Sequence, residues 1–224
     1  MPNEFGYDDL IDNPTPRVPV CLCLDTSGSM MGQPIDELNR GIRQFFQEVA
    51  ADEVARYAVD ICVVTFGDQG VKLLQDFHSL DAASCPSLTA NGGTPMGEAL
   101  TIALDKLAQR KQMYKDSGID YFQPWLVIMT DGQPNGDRNV LEAACRETSS
   151  LQAERKLSIF PIGIGHDADM AVLSRISPKR PPLRLEGLKF VEFFQWLSQS
   201  LARVSQSIPG EQTDLPPTES WSTL

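Results

Sequence analysis

Two hydrophobic rhythms alternate along this chain, one with the period of a buried strand and one with the period of an amphipathic helix. Residues 18–24 form a short apolar run ahead of polar turn residues, the pattern of a strand buried on both faces. Beyond Gly32, Pro34 suits the first position of a helix, and Ile35, Leu38, Ile42, Phe45, Phe46 and Val49 recur at helical spacing. Residues 57–66 are β-branched and apolar, and a turn at 67–70 leads into 71–77, which predicts a hairpin at a sheet edge. A polar, irregular connection then runs to Gly93, after which Pro95 opens a helix carrying Ala99, Ile102, Ala103, Leu107 and Met113. A strand at 125–129, a helix through Val140, Leu141, Ala144, Cys145 and Leu151, and a strand at 157–164 follow. A short helix at 170–176, a short strand at 183–185 and a last amphipathic helix through Phe190, Phe193, Phe194, Leu197, Leu201 and Val204 complete the series. Pro209, Pro216 and Pro217 mark a polar tail that is expected to be disordered, with Trp221 in it either a contact residue or simply unburied.

Such alternation implies an α/β fold: a doubly wound, mainly parallel sheet with one antiparallel edge strand and helices on both faces. The boundaries read as an N-terminal extension at 1–16, one domain at 17–207 and a tail at 208–224. Open sheets of this kind receive ligands beyond the carboxyl ends of their strands, where the winding reverses and neighbouring loops part. Functional residues are therefore expected at strand ends.

Composition narrows the classes. The 224 residues, 42% of them hydrophobic, suffice for one continuous core. No stretch approaches the roughly 20 apolar residues of a membrane span, and the opening MPNEFGYDDLIDNP is acidic where a secretory signal would be basic and then apolar. Five cysteines without paired spacing argue against a disulfide framework, and a cytoplasmic location is the expectation. Nineteen basic against thirty acidic residues give a formal net charge of −11, which repels phosphate backbones and anionic membranes. The basic cluster Lys179-Arg180 is too small to reverse that, so neither nucleic acid nor membrane is expected as a partner.

Three segments at predicted strand or helix ends hold the informative side chains: Asp25-Thr26-Ser27-Gly28-Ser29, Gly92-Gly93-Thr94-Pro95 and Thr130-Asp131-Gly132. Hard cations such as Mg²⁺ take oxygen ligands, keep several waters and need few carboxylates, which suits two aspartates and three hydroxyls. Alternate side chains of a turning segment share a side, so Asp25, Ser27 and Ser29 can converge while Gly28 lets the backbone turn. Each piece has a plainer reading: a turn with a helix cap for the first, an N-cap ahead of proline for Thr94, and a turn for Asp131-Gly132. Their common placement at ligand-bearing positions of one α/β pattern favours a metal site made of Asp25, Ser27, Ser29, Thr94 and Asp131.

The residues DTSGS, GGTPMGEAL and VIMTDGQP resemble the von Willebrand factor A family, and all three of its metal-site segments match. The order of elements from Val18 to about Ser207 is similar too, and GGTPMGEAL and TDGQPNG look closest to the bacterial TerY-like group associated with tellurium resistance and stress operons. The resemblance implies a metal-ion-dependent adhesion site holding Mg²⁺ or Mn²⁺, with Ca²⁺ less suited. Asp25, Ser27, Ser29 and Thr94 would lie nearest the ion, and Asp131 would act directly or through water. It also implies an open coordination position, filled by an Asp or Glu of a partner protein.

Other chemistries fit less well. A Mg²⁺-dependent phosphatase using Asp25 is the alternative, but such enzymes carry Asp-x-Asp and here Ser27 occupies the second place, leaving no carboxyl to act as general acid. With His78 and His166 as the only histidines and no Gly-x-Ser-x-Gly elbow, no serine-hydrolase triad assembles. Gly163-Ile-Gly165-His-Asp-Ala168 fits a loose dinucleotide pattern but falls late in the chain, and tight turning with capping by Asp167 accounts for it better. An EF-hand at Asp131–Glu142 is broken by Gln133 and follows a strand. Cys21, Cys23 and Cys62 read as small core residues rather than zinc ligands.

Overall fold

Adjacent side chains along each central strand enter different layers of the molecule, which is why the strands read as unbroken apolar runs. In β1 (Val18–Thr26), Val18, Val20, Leu22 and Leu24 join one core cluster while Cys21 and Cys23 join the other. The same alternation divides β2 (Val59–Gly67) and β4 (Trp125–Thr130). The first layer is covered by α1 (Gln33–Ala51) and α6 (Phe190–Ser205); the second by α3 (Met96–Asp116), α4 (Arg138–Ala153) and α5 (Met170–Ile176). A one-turn helix, α2 (Ala55–Ala58), leads into β2. This computed structural model describes residues 13, 15–67, 70–79 and 85–223, so the expected extension at 1–16 lies largely outside the described residues.

The strands β3 (Gly70–Ser79), β5 (Ser158–Ile164), β6 (Leu183–Leu185) and β7 (Ser222–Thr223) complete a seven-stranded sheet in the order β3-β2-β1-β4-β5-β6-β7. β3 is antiparallel to β2, and the strands from β2 to β6 are parallel to their neighbours. The doubly wound, mainly parallel expectation is met, and winding reverses between β1 and β4. The second antiparallel edge, β7 on β6, was not foreseen.

α1 buries Ile35, Leu38, Ile42, Phe45, Phe46 and Val49 against α6, and at the crossing Gly41 is required. A Cβ there would lie 2.7 Å from Phe194 Cδ2 and 3.0 Å from the Phe190 carbonyl. Proline is the second rather than the first residue of α1. Cys21, Cys23 and Cys62 are fully buried in the second layer, as core residues should be. At the amino ends of the strands a buried ionic cluster forms. Asp60 of β2 accepts Arg110 Nε at 3.0 Å and Nη2 at 2.7 Å, accepts the Tyr114 hydroxyl on the same oxygen, and lies 3.5 Å from Arg17 Nη1.

The tail corrects the expectation of disorder. After α6 the chain returns across the end of the sheet, Trp196 Nε1 donates to the Pro216 carbonyl at 2.8 Å, and Trp221 is fully buried with its ring 4.9 Å from Phe193 and 5.3 Å from Trp196. The prolines that suggested disorder shape a strap, and the aromatic residue left without an assignment is what holds it to the core. Trp221→Ala should therefore cost about 3–5 kcal/mol of unfolding free energy, the usual loss for a buried large aromatic. Urea denaturation checks this, and a midpoint unchanged from wild type would mean that the tail does not pack in solution.

Candidate metal centre

The pairing of β1 with β4 places Leu24 beside Met129, so the next residues, Asp25 and Thr130, meet across the switch point. Thr130 Oγ1 donates to Asp25 Oδ2 at 2.5 Å, and the Ser27 backbone N–H donates to Asp25 Oδ1 at 2.8 Å. Asp25 is fully buried. Beyond it the chain makes a 3₁₀ turn at Gly28–Met30, with the Met30 N–H bonded to the Ser27 carbonyl at 3.0 Å. That turn lifts Ser27 and Ser29 side by side: their hydroxyl oxygens are 3.0 Å apart, and Ser29 Oγ donates to Asp131 Oδ1 at 2.8 Å. Ser27 is buried, Asp131 half-buried and Ser29 exposed, so the cluster opens outward from Asp25.

Thr94 reaches the same place from the far side of the loop before α3. The Gly92 carbonyl accepts the Gly28 N–H at 2.9 Å, and the Asn91 N–H donates to the Thr26 carbonyl at 2.8 Å, which docks this loop on the β1 turn. Asn135 clamps it from the other side, its Oδ1 accepting the Thr94 N–H at 2.7 Å and its own N–H donating to the Thr94 carbonyl at 3.1 Å. Gly93 makes this possible, since a Cβ there would sit 2.7 Å from Asn135 Nδ2. A Cβ built on Gly132 would lie 3.8 Å from Thr94 Oγ1, which puts that hydroxyl beside the loop carrying Asp131. The plainer reading of Thr94 as a side-chain cap is not seen: α3 begins at Met96 after Pro95, with no side-chain cap bond.

All five predicted residues thus stand on three segments that contact one another. Sequence reasoning missed their supports, Thr130 and Asn135, as well as Glu98, whose Oε1 accepts the Asp137 N–H at 3.0 Å and steadies the loop below Asn135. A hydroxyl beside each strand-end aspartate and an amide facing the Gly-Gly-Thr turn were the available signals. The Gly165 turn is capped differently from expectation, because Asp169 rather than Asp167 accepts the N–H groups of Ala171 at 3.1 Å and Val172 at 3.0 Å. His166 is exposed.

A scan against protein-family models matches residues 20–184 to the von Willebrand factor type A domain. The chain belongs to that family. An uncharacterized protein of Synechocystis is 24% identical over 168 residues, 72% of this chain and 36% of that protein, so the chain spans about a third of that relative's length. Among solved structures, the domain resembles a von Willebrand factor type A protein of Catenulispora acidiphila, with TM-score 0.62, 18% identity, and coverage of 84% of this chain and 43% of that one. It also resembles the corresponding domain of the pilus tip protein Mfa5 of Porphyromonas gingivalis, with TM-score 0.63, 15% identity, and coverage of 90% and 99%. Manganese-loaded TRAP protein of Plasmodium vivax aligns with TM-score 0.56, 20% identity, and coverage of 80% and 72%. At these identities the structural likenesses establish the fold. Among the described residues no helix is long and apolar enough to cross a membrane.

The donor set of this domain suits a hard cation. Burial, first, pushes the Asp25 carboxyl above its ordinary value; hydrogen bonds from Ser27 and Thr130 oppose the shift and the charge of Asp131 adds to it. Asp131 is likewise raised, by burial foremost, with Ser29 opposing and Asp167 adding. Two carboxylates close enough to repel, joined by neutral hydroxyls, are relieved by positive charge placed among them. A carboxyl whose folded pKa exceeds its unfolded one binds its proton more tightly in the fold, so its ionisation removes stability as pH rises through the folded value. Without divalent cation, Asp25→Asn should raise the melting temperature near about pH 7, and the gain should shrink as pH falls towards about 4. Melts across that range in chelator test this; a variant less stable than wild type throughout would show that the ionised carboxylate supports the fold unaided.

Proposed function

We propose that this chain is a metal-dependent protein-binding module rather than an enzyme, with Asp25, Ser27, Ser29, Thr94 and Asp131 holding one Mg²⁺ or Mn²⁺. The observation that carries this reading is the chain of contacts from buried Asp25 through Ser27 and Ser29 to Asp131, which gathers two carboxylates and neutral hydroxyls at the switch point. With few negative ligands, a bound ion keeps net positive charge, and near-octahedral ions leave positions for water or an incoming oxygen. An Asp or Glu of a partner protein is the ligand such an ion would attract. Membership of a family whose structural relatives include a manganese-loaded protein and pilus proteins supports the same direction. The phrasing of GGTPMGEAL and TDGQPNG points to a bacterial tellurium-resistance or stress-response system, and cysteines without paired spacing point to a reducing, cytoplasmic compartment.

The phosphatase alternative gains nothing from the geometry. Ser27, its hydroxyl 3.0 Å from that of Ser29, stands where a second carboxyl would be needed as general acid.

Calorimetry should show one Mg²⁺ or Mn²⁺ per chain, with affinity reduced roughly tenfold or more in Asp25→Ala/Thr94→Ala. Unchanged affinity would remove these residues from the site. A pull-down from the native host should recover an acidic-faced partner that is lost in EDTA, restored by Mg²⁺ and absent with Ser27→Ala/Ser29→Ala bait of unaltered circular dichroism. Equal recovery with and without chelator would mean that recognition uses another surface.

A further inference from the structure

At the opposite pole, where β4 and β5 begin and α3 and α4 end, a cleft of about 850 Å³ crosses the surface, within the roughly 300–1,000 Å³ range of ligand clefts. Lys111 of α3, Arg155 and Lys156 of the turn from α4 into β5, and Lys179 and Arg180 of the loop from α5 to β6 all line it. Glu211, on the strap, is the one acidic residue among the described lining residues. In a chain of 19 basic and 30 acidic residues this is a local reversal of charge. In the sequence these cations fall in three separated segments, at Lys111, Arg155-Lys156 and Lys179-Arg180, and only the fold brings them to one cleft.

Some of these cations already have a structural task. Lys179 Nζ donates to the Ala153 carbonyl at 3.2 Å, and the Arg180 guanidinium lies 4.1 Å above the Phe160 ring. Lys156 pairs with Glu154 at 2.6 Å, where both side chains are about half exposed. Burial, and then the neighbouring charges of Lys115 and Lys156, lower the Lys111 pKa, so positive charges are crowded here.

Arg155 supplies an independent argument. It is the sole non-glycine residue with positive φ among the described residues, at 55°. It occupies the stop of α4, where the Lys156 N–H bonds the Leu151 carbonyl at 2.8 Å and the Arg155 N–H bonds the Gln152 carbonyl at 3.2 Å. Glycine is the usual residue at such a left-handed stop, because any side chain there crowds the backbone. An arginine at this place puts a cation on the cleft at a conformational cost.

Gln123 and Gln212 also line the cleft as exposed side chains, and amide side chains both donate to and accept from a peptide backbone, whereas Gln152 is buried with its Nε2 donating to Ser177 Oγ at 2.9 Å. Cations spread over three segments, with amides among them, match an extended chain bearing several carboxylates better than a single compact anion. We propose that this cleft binds an acidic peptide segment of a partner protein, whose carboxylates meet Lys111, Arg155 and Lys156 while Gln123 and Gln212 hold its backbone. The site is separate from the metal pole, which lies at the other ends of the same strands.

The test uses the full chain in EDTA, so that the metal pole cannot bind carboxylate, and a fluorescein-labelled Glu-Gly-Glu-Gly-Glu-Gly-Glu peptide read by anisotropy. Saturable binding is expected, weakened about fivefold or more by Lys111→Ala and by Arg155→Gly/Lys156→Ala, and largely lost at about 0.5 M salt. Arg155→Gly alone should weaken binding while leaving the melting temperature equal or higher, since it relieves the left-handed backbone; this separates lost binding from lost folding. Absence of binding in EDTA, or affinity unaltered in these variants, would overturn the proposal. Inorganic pyrophosphate or single-stranded DNA binding more tightly than the peptide at the same residues would overturn the peptide assignment.

Discussion

The proposed metal pole depends on one alignment, the parallel register of β1 with β4. Because Leu24 lies beside Met129, the strands end together, and the Asp25 carboxylate meets the Thr130 hydroxyl while Asp131 starts the adjoining loop. A shift of one residue would turn Asp25 to the opposite face and exchange the two core layers, since Leu22 and Leu24 face one and Cys21 and Cys23 the other. The site and the core therefore enforce the same register: what packs the sheet also aims the aspartates. That the winding reverses between these two strands explains why the loops beyond them part and leave room above Ser29 and Asp131.

The third segment of the site rides on α3, and α3 is fixed at both ends. Near its start, Gly97 lies so close to α4 that a Cβ would fall 2.6 Å from the Leu141 nitrogen, which draws the loop bearing Asn135 over Thr94. Near its end, Arg110 and Tyr114 bond the buried Asp60 of β2. Such a cluster adds little stability over an apolar one of equal volume, yet removing a partner strands a buried charge at a cost of about 3–5 kcal/mol. Its contribution is therefore positional: α3 has one seat on β2, and Thr94 is held at a defined height above β1.

The strands and helices of this domain were legible because burial on two faces or one imposes periods of two and 3.6, and the five candidate site residues could be named because they lie at strand or helix ends in that pattern. Bounds at Met170–Ile176 and Leu183–Leu185 agree with the reading, and most others lie within a few residues. What escaped was everything set by contacts distant in sequence. The strap looked disordered because prolines and polar residues carry no period; only the aromatic surface of Phe193 and Trp196 gives Trp221 a place. Thr130 and Asn135 were passed over since their partners, Asp25 and Thr94, lie 105 and 41 residues away. The basic cleft was invisible for the same reason, its cations being scattered from Lys111 to Arg180.

Charge gives the two poles different tasks. At a net charge of −11 the chain repels acidic surfaces at long range, although at physiological salt such repulsion fades beyond roughly 8 Å. An acidic partner therefore gains little from steering and must be held by short-range contacts, where positive charge is concentrated and partly desolvated. A cation among hydroxyls would provide that at one end of the sheet only when metal is present, whereas in the proposed peptide cleft Lys111, Arg155 and Lys156 would provide it at the other without metal. Because the strap that walls the cleft through Glu211 is tied by Trp221 to α6, and α6 packs on the α1 helix that follows the Ser27–Ser29 turn, the two poles share one continuous core layer. Elements that reach both poles, α3 with Thr94 before its start and Lys111 near its end and the strands β4 and β5, join them through the same packed sheet.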